Sequence, residues 1–322
     1  MSVFDRELAA TVAAVAEEGA FEAAARRLRI SPSAVSQRVK LMEEQLGRVL
    51  IVRSRPVRPT EAGEAVVRLS RQISLLEQDA AAELRVGDTL ARLRVSLAAD
   101  ADSLATWLLG PLTRAASAHA FELELLRADP SETARLLESG RVMAVVTSEN
   151  SPVAGCEISW LGALRYEPVA SPEFVSEWLG DTDGGEHLDS APFVSFDRDD
   201  ELQSRWLAQR GIEPRLPPRH FVPSAHDLLQ SVELGLGWAM VPTAQASAAI
   251  AAGRVVRLDG PPLRVPLYWQ QWSLRSQILD EIRAQIEAAA GMWLDRGVGT
   301  AAPGQAEEPA AERPGGHPAH RR

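Results

Sequence analysis

Cysteine is nearly absent. Cys156 stands alone among 322 residues, which excludes an intramolecular disulfide and suits a reducing compartment. No apolar run nears the ~20 residues needed to span a bilayer, and no basic stretch followed by an apolar core opens the chain. Secretion, membrane insertion and a membrane partner are therefore not expected; a cytoplasmic location is. Catalytic signatures are missing too, with no GxSxG elbow, P-loop or HExxH, so the expectation is no enzyme, no cofactor and no metal. His317 and His320 are three apart but sit in a tail poor in apolar residues, and Gly235 and Gly237 lack the third glycine of a nucleotide fingerprint. Basic charge is also in deficit, 34 Lys and Arg against 44 Asp and Glu, a net −10. Taken whole, that balance argues against a nucleic-acid partner.

Its distribution argues the other way. Residues 1–60 carry ten basic and seven acidic side chains, a local +3, which leaves −13 for the rest. Between 26 and 58 the arginines at 26, 27, 29, 38, 48, 53, 55 and 58, with Lys40 (the one lysine), face only Glu43 and Glu44. A solvated basic face would explain charge alone; a motif is needed to make it an argument.

The chain length allows two domains of roughly 150 residues, and the pattern divides it further. Leu8, Val12 and Val15 recur at helical spacing before Gly19. A second helix runs from Glu22 to Leu28, and Ser31-Pro32 caps and opens a third that ends at Gly47. Leu50 to Val52 and the residues around Val57 read as two short strands. From Thr60 to about Arg85 a long helix carries Val66, Leu69, Ile73, Leu76, Ala80 and Leu84 as a narrow seam, flanked by Arg68, Arg71, Gln72, Glu77 and Gln78. A dimerising rod is the expectation. Strands then alternate with helices, with one helix expected around Leu104–Ala116 and opened by Asp102 or Ser103. The expected fold class is α+β overall: a small helical domain with a hairpin at 1–59, a linker helix at 60–87, and an α/β domain at 88–297 whose length allows two small sheets, one to each lobe. Lobe I would take about 92–162 and 267–297, lobe II about 163–266, with the crossings near Gly162–Arg165 and Pro262–Leu267. Residues 298–322 read as a disordered tail.

In the third helix Val35, Val39, Met42 and Leu46 form a stripe to bury, while Ser33, Ser36, Gln37 and Lys40 form a polar stripe near its start. A recognition helix needs that division, with apolar residues on its neighbours and N-terminal polar residues at base edges. Gln37 suits adenine, Ser33 and Ser36 suit several bases, and Lys40 suits a phosphate. Arg53, Arg55 and Arg58 would form a basic wing beside it. The stretch FEAAARRLRISPSAVSQRVK at 21–40, followed by LMEEQLG and LIVRSRPVRPTEAG, resembles the winged helix-turn-helix of the LysR-type transcriptional regulators. The family's layout matches the chain through about residue 295, including an effector domain similar to periplasmic binding proteins. The blocks ADSLATWLL at 101–109, LGAL at 161–164, VSFD at 194–197 and LYW at 267–269 resemble a narrower ArgP/LysG-like subgroup.

The resemblance implies a regulator that senses lysine or arginine (with histidine a further option) and controls an amino-acid exporter gene. It also implies a homodimer that assembles into a homotetramer on double-stranded DNA, with RNA polymerase as a further partner. The residues implied for DNA are Ser31, Pro32, Ser33, Ser36, Gln37, Lys40, Arg53, Arg55 and Arg58. For the effector, the helix starts at Ser103 and Ser224 suit a carboxylate. Asp100, Asp102, Asp197 and Glu149, which follow or end strands, suit a cation; Phe196 lies with Asp197 closest to its strand end, and Thr147 suits a hydrogen bond to the ligand. Asp102 has the alternative of capping its own helix, Thr147 of merely ending a strand, and most of the acidic run 197–201 of being a solvated helix start. Trp107, Trp238, Trp269 and Trp272 suit either a ligand stem or the core. Two rivals stay open: a LysR-type regulator for an organic or aromatic acid, and a solute-binding protein or transferase with the same α/β fold.

Overall fold

The computed structural model describes residues 4–84, 94–119, 121–180 and 187–296. The tail at 298–322, with His317 and His320, and the linker end at 85–87 lie outside the described residues. The N-terminal unit is three helices and a hairpin: α1 (Arg6–Glu18), α2 (Phe21–Leu28), α3 (Pro32–Leu46), then β1 (Ile51–Val52) paired antiparallel with β2 (Arg58–Pro59). Its boundaries follow local chemistry. Asp5 caps α1 by accepting from the N–H groups of Glu7 and Leu8 at 2.8 and 3.2 Å, and Gly19 ends it in the left-handed conformation. Ser31 caps α3 through the Ala34 N–H at 3.2 Å, with Pro32 at the first helical position. Leu8, Val12 and Val15 bury against Ala24, Ala25, Val35, Val39 and Met42. At ~1.5–3 kcal/mol per fully buried large aliphatic side chain, the stripe of α3 alone contributes several kcal/mol.

Helix α4 (Glu61–Glu83) leaves this unit. Thr60 caps it, accepting from the Gly63 N–H at 3.1 Å while donating to the Val49 carbonyl at 2.7 Å. The helix is ~35 Å long. Of the expected seam, Val66 buries in the head, whereas Leu76 and Leu84 stay 43% and 71% exposed. Arg71, expected on the solvated flank, is instead buried, and Leu75 enters the effector-domain core.

The effector domain is built on one curled seven-stranded sheet. Strands β3 (Arg94–Ala99), β4 (Glu122–Arg127) and β5 (Ala144–Thr147) run parallel, alternating with α5 (Ala101–Thr106), α6 (Leu109–His119) and α7 (Pro130–Glu138). The long β6 (Cys156–Ala170) then crosses into the second lobe. That lobe holds a short helix α8 (Pro172–Phe174), continued by a π turn to Leu179, then β7 (Phe193–Ser195), α9 (Leu202–Gln209) and β8 (Arg219–Phe221). After these come α10 (Ala225–Glu233), β9 (Ala239–Pro242), α11 (Thr243–Ala251) and β10 (Val256–Arg257). Strand β11 (Leu263–Trp272) returns antiparallel to β6, and α12 (Gln277–Trp293) closes the first lobe. Leu267 pairs with Gly162, and the register slips between Leu267 and Tyr268. Gly162 has φ +140°, and a Cβ there would lie 2.7 Å from that of Leu294, so the crossing admits no side chain.

Two expectations change. The single helix over Leu104–Ala116 is two, because Trp107 ends α5 and a new helix starts at Leu109 with Pro111 in its first turn, where a missing N–H costs nothing. The cap of α5 is Asp100, not Asp102 or Ser103. The four tryptophans in question, Trp107, Trp238, Trp269 and Trp272, are all buried in the core.

Candidate functional site

On the head, burial of Val35, Val39 and Met42 turns the opposite face of α3 outward. Ser31, Pro32, Ser33, Gln37 and Lys40 are exposed, and Ser36 is half-buried. Ser31 and Ser33 join their hydroxyls at 2.9 Å, and Lys40 meets Glu44 one turn on at 3.5 Å. The hairpin is held to α3 by Glu43, which accepts from the N–H groups of Leu50 and Ile51 at 2.8 and 3.3 Å. Arg53, Arg55 and Arg58 are exposed, and the Arg53 guanidinium sits 5.6 Å from the Phe21 ring centre. Ser36, Arg53 and Arg55 line one concavity of about 430 Å³ between α2, α3 and the wing. A face of small polar side chains beside arginines is chemically suited to base edges and phosphates.

Between the lobes of the effector domain lies a small enclosed cavity of about 60 Å³, walled by Asp102 from the first lobe and by Phe196, Asp200, Ala225, Met240 and Gln245 from the second. Strand ends and helix starts converge there, as open α/β sheets require. Asp102 Oδ2 accepts from the Tyr166 hydroxyl at 2.7 Å. Its carboxyl is pushed up to about 7, first by burial and then by the like charge of Asp100, with Asp200 adding to it. Asp100 accepts from the Ser103 N–H at 2.8 Å through Oδ1, while its Oδ2 is buried without a partner among the described residues. Burial raises the Asp100 and Asp200 carboxyls as well. Asp102 and Asp200 thus share one cavity wall, Asp100 is buried close by, and the charges acting on Asp102 are both acidic.

The other expected effector residues are placed as follows. Ser103 is fully buried, and the helix end it was read to offer a ligand carboxylate already holds that of Asp100. Thr147 is buried, its hydroxyl 3.0 Å from that of Thr133, and it accepts from the Glu149 N–H. Asp197 Oδ1 takes the N–H groups of Asp199 and Asp200 at 2.9 Å each, making a local turn. Ser224 caps α10, directly before Ala225 in the cavity wall. Phe196 reaches the cavity and carries the Arg127 guanidinium 5.1 Å from its ring centre.

Residues 7–64 match the model of the bacterial regulatory helix-turn-helix proteins of the lysR family, and residues 89–290 match the LysR substrate binding domain. The chain belongs to the LysR family. Similar proteins include a "lysine export transcriptional regulatory protein LysG" of Corynebacterium efficiens, 40% identical over 88% of this chain and 97% of that one. Among solved structures, ArgP from Mycobacterium tuberculosis is 40% identical with a TM-score of 0.79, covering 91% of this chain and 99% of its own. Full-length LysG from Corynebacterium glutamicum with bound effector Arg is 35% identical with a TM-score of 0.71, covering 91% and 100%.

Two residues of this LysR chain's cleft escaped the sequence reading. Asp200 lay inside the acidic run DRDDE, and only its position two residues before α9 hinted that it turns inward. Gln245 sits on α11, a helix rich in alanine whose weak pattern concealed it. Its Oε1 is buried without a partner among the described residues.

Proposed function

We propose that this LysR-family protein is a cytoplasmic transcriptional regulator, not an enzyme, whose effector is lysine or arginine and whose target is an amino-acid exporter gene. The observation that carries the effector class is that Asp102 and Asp200 face each other across one closed cleft, with Asp100 buried close enough to act on Asp102. Uncompensated buried carboxylates are costly, and a cationic ligand relieves that cost while an anionic one adds to it. The names of the similar proteins, lysine export for one and bound Arg for another, point the same way. In this reading Asp102 and Asp200 hold the distal cation, and Phe196 lies along the aliphatic stem. A cavity of about 60 Å³ has room for only a few waters, so the lobes must part to admit the effector, turning about the β6–β11 crossing.

DNA recognition falls to Ser33, Ser36 and Gln37 at base edges, to Lys40 and the helix start at Ser31-Pro32, and to Arg53, Arg55 and Arg58 on the wing. The exposed Leu76 and Leu84 of α4 would pair with a second subunit, setting two heads about 34 Å apart on successive major grooves. Two such dimers would form the homotetramer, and RNA polymerase is the partner through which it would act. Thermal shift with lysine, arginine, histidine and benzoate tests the effector class. Stabilisation by the basic amino acids and not by benzoate is expected; stabilisation by benzoate alone would overturn it.

A further inference from the structure

A buried arginine on a linker helix is unusual, because its guanidinium must find partners for five N–H groups away from water. Arg71 finds them in two domains at once. Its Nε and Nη2 donate to Glu17 Oε1 on α1 at 2.8 and 2.7 Å, and its Nη1 donates to the carbonyls of Gly140 and Arg141, just after α7. Glu17 is gripped from the other side by Arg27 of α2, and the two arginines hold its carboxyl below the usual range in spite of its burial. One turn before Arg71, Arg68 donates to the carbonyl of Glu138; one turn after it, Leu75 is buried in the effector-domain core. Gly140 has φ +70°, and a Cβ there would lie 2.6 Å from that of Arg68, so helix and turn are in direct backbone-level contact.

The turn that Arg71 grips is one end of α7. The other end begins after Asp129, and two residues earlier the Arg127 guanidinium lies 5.1 Å from the ring centre of Phe196 in the cleft wall and donates to the Pro223 carbonyl of the second lobe at 3.5 Å. Helix α7 therefore spans ~14 Å from the rim of the effector cleft to the clamp on the DNA-binding head. We propose that Arg71 is a positioning residue that ties the orientation of the head to the state of the cleft, with α7 as the connecting rod. A shift of the cleft rim moves the 138–141 carbonyls, and the head must follow or the clamp must break. Coupling requires an element that both sites bias; the clamp joins them directly. This inference rests on the regulator reading.

The test uses the full-length protein and a labelled fragment of the DNA upstream of its own gene. Anisotropy and footprinting, each with and without arginine, are run on wild type, Arg71→Gln and Glu17→Gln. Arginine affinity is measured separately by calorimetry. Both variants are expected to keep arginine affinity within about twofold and to bind DNA, yet to lose the arginine-dependent change in footprint and affinity, a change of roughly 5–150-fold where two sites are coupled. Should Arg71→Gln fail to fold, Glu17→Gln, which keeps the packing and removes one charge, decides the matter. A variant that folds and responds to arginine as wild type does overturns the clamp alone. A wild type that binds no DNA brings down the regulator reading, and this inference with it.

Discussion

The Tyr166 hydroxyl, on the strand that crosses between the lobes, donates a 2.7 Å hydrogen bond to Asp102 Oδ2 at the start of the first cleft helix. That bond favours the ionised carboxylate, yet burial and the charges of Asp100 and Asp200 outweigh it and push Asp102 up to about 7 from 3.8. The folded protein therefore binds this proton more tightly than the unfolded chain. Below pH 3.8 both states are protonated and nothing is lost. As pH rises to about 7 the folded state forfeits stability, up to ~4 kcal/mol for the full shift. Asp102→Asn keeps the acceptor for Tyr166 and removes the charge. Denaturant titrations should show the variant gaining on wild type between pH 4 and 7, then holding a gain of a few kcal/mol at pH 8. Parallel stability curves across that range would sink this account.

Effector binding should carry the opposite sign. A cation entering beside Asp102 and Asp200 favours their ionised forms, so protons must leave as it binds. Arginine affinity is expected to rise from pH 5.5 to 7.5, by up to about tenfold per pH unit for each proton released. Calorimetry at pH 6.5 in phosphate and in imidazole, which differ in ionisation enthalpy, counts those protons directly. Equal heats in both buffers would refute the linkage while leaving binding itself intact.

What was legible in the sequence is what local chemistry decides. Gly19, Ser31, Pro32 and Gly47 mark the end of α1 and both ends of α3 because caps are contests over nearby backbone groups. That Gly162 must be a glycine was not legible, because the residue that presses on it, Leu294, comes from the far end of the chain. The acidic run was harder. Asp197 folds onto the N–H groups of residues 199 and 200, whereas Asp200 turns inward to accept from Phe196 and Leu202, a choice made by the turn and invisible in composition. Arg71 carried no local signal at all. Its partners lie 54 and about 70 residues away, and only the docking of α4 on the effector domain takes it out of solvent.

Gly63 offers a sharp test of how the wing is hung on the linker. A Cβ at this position would lie 2.0 Å from the carbonyl oxygen of Leu50 and 3.1 Å from Pro59 Cβ, and backbone cannot yield as a side-chain tip can. Gly63→Ala should therefore cost more than the ~1 kcal/mol that alanine ordinarily gains over glycine within a helix, for a net loss of ~2 kcal/mol or more. Thermal unfolding of the head should shift down and DNA affinity should fall, with arginine binding unchanged. A variant as stable as wild type would mean that α4 and the hairpin adjust freely against each other.

Gln37 and Arg53 should separate into two kinds of DNA contact. Arg53 is exposed at the wing, braced by the Phe21 ring 5.6 Å away, and carries a charge that only a phosphate or a narrow groove would use. Arg53→Ala should weaken binding to all sequences alike and lower the slope of log K against log salt by about 1. Gln37, neutral and exposed on the outward face of α3, can discriminate bases without releasing counterions. Gln37→Ala should leave the salt slope unchanged and cost ~1–3 kcal/mol on the operator, but little on unrelated DNA. Anisotropy titrations at four salt concentrations, on operator and on scrambled duplex, read both quantities. If Arg53→Ala kept the wild-type slope, the wing would not be touching the DNA backbone.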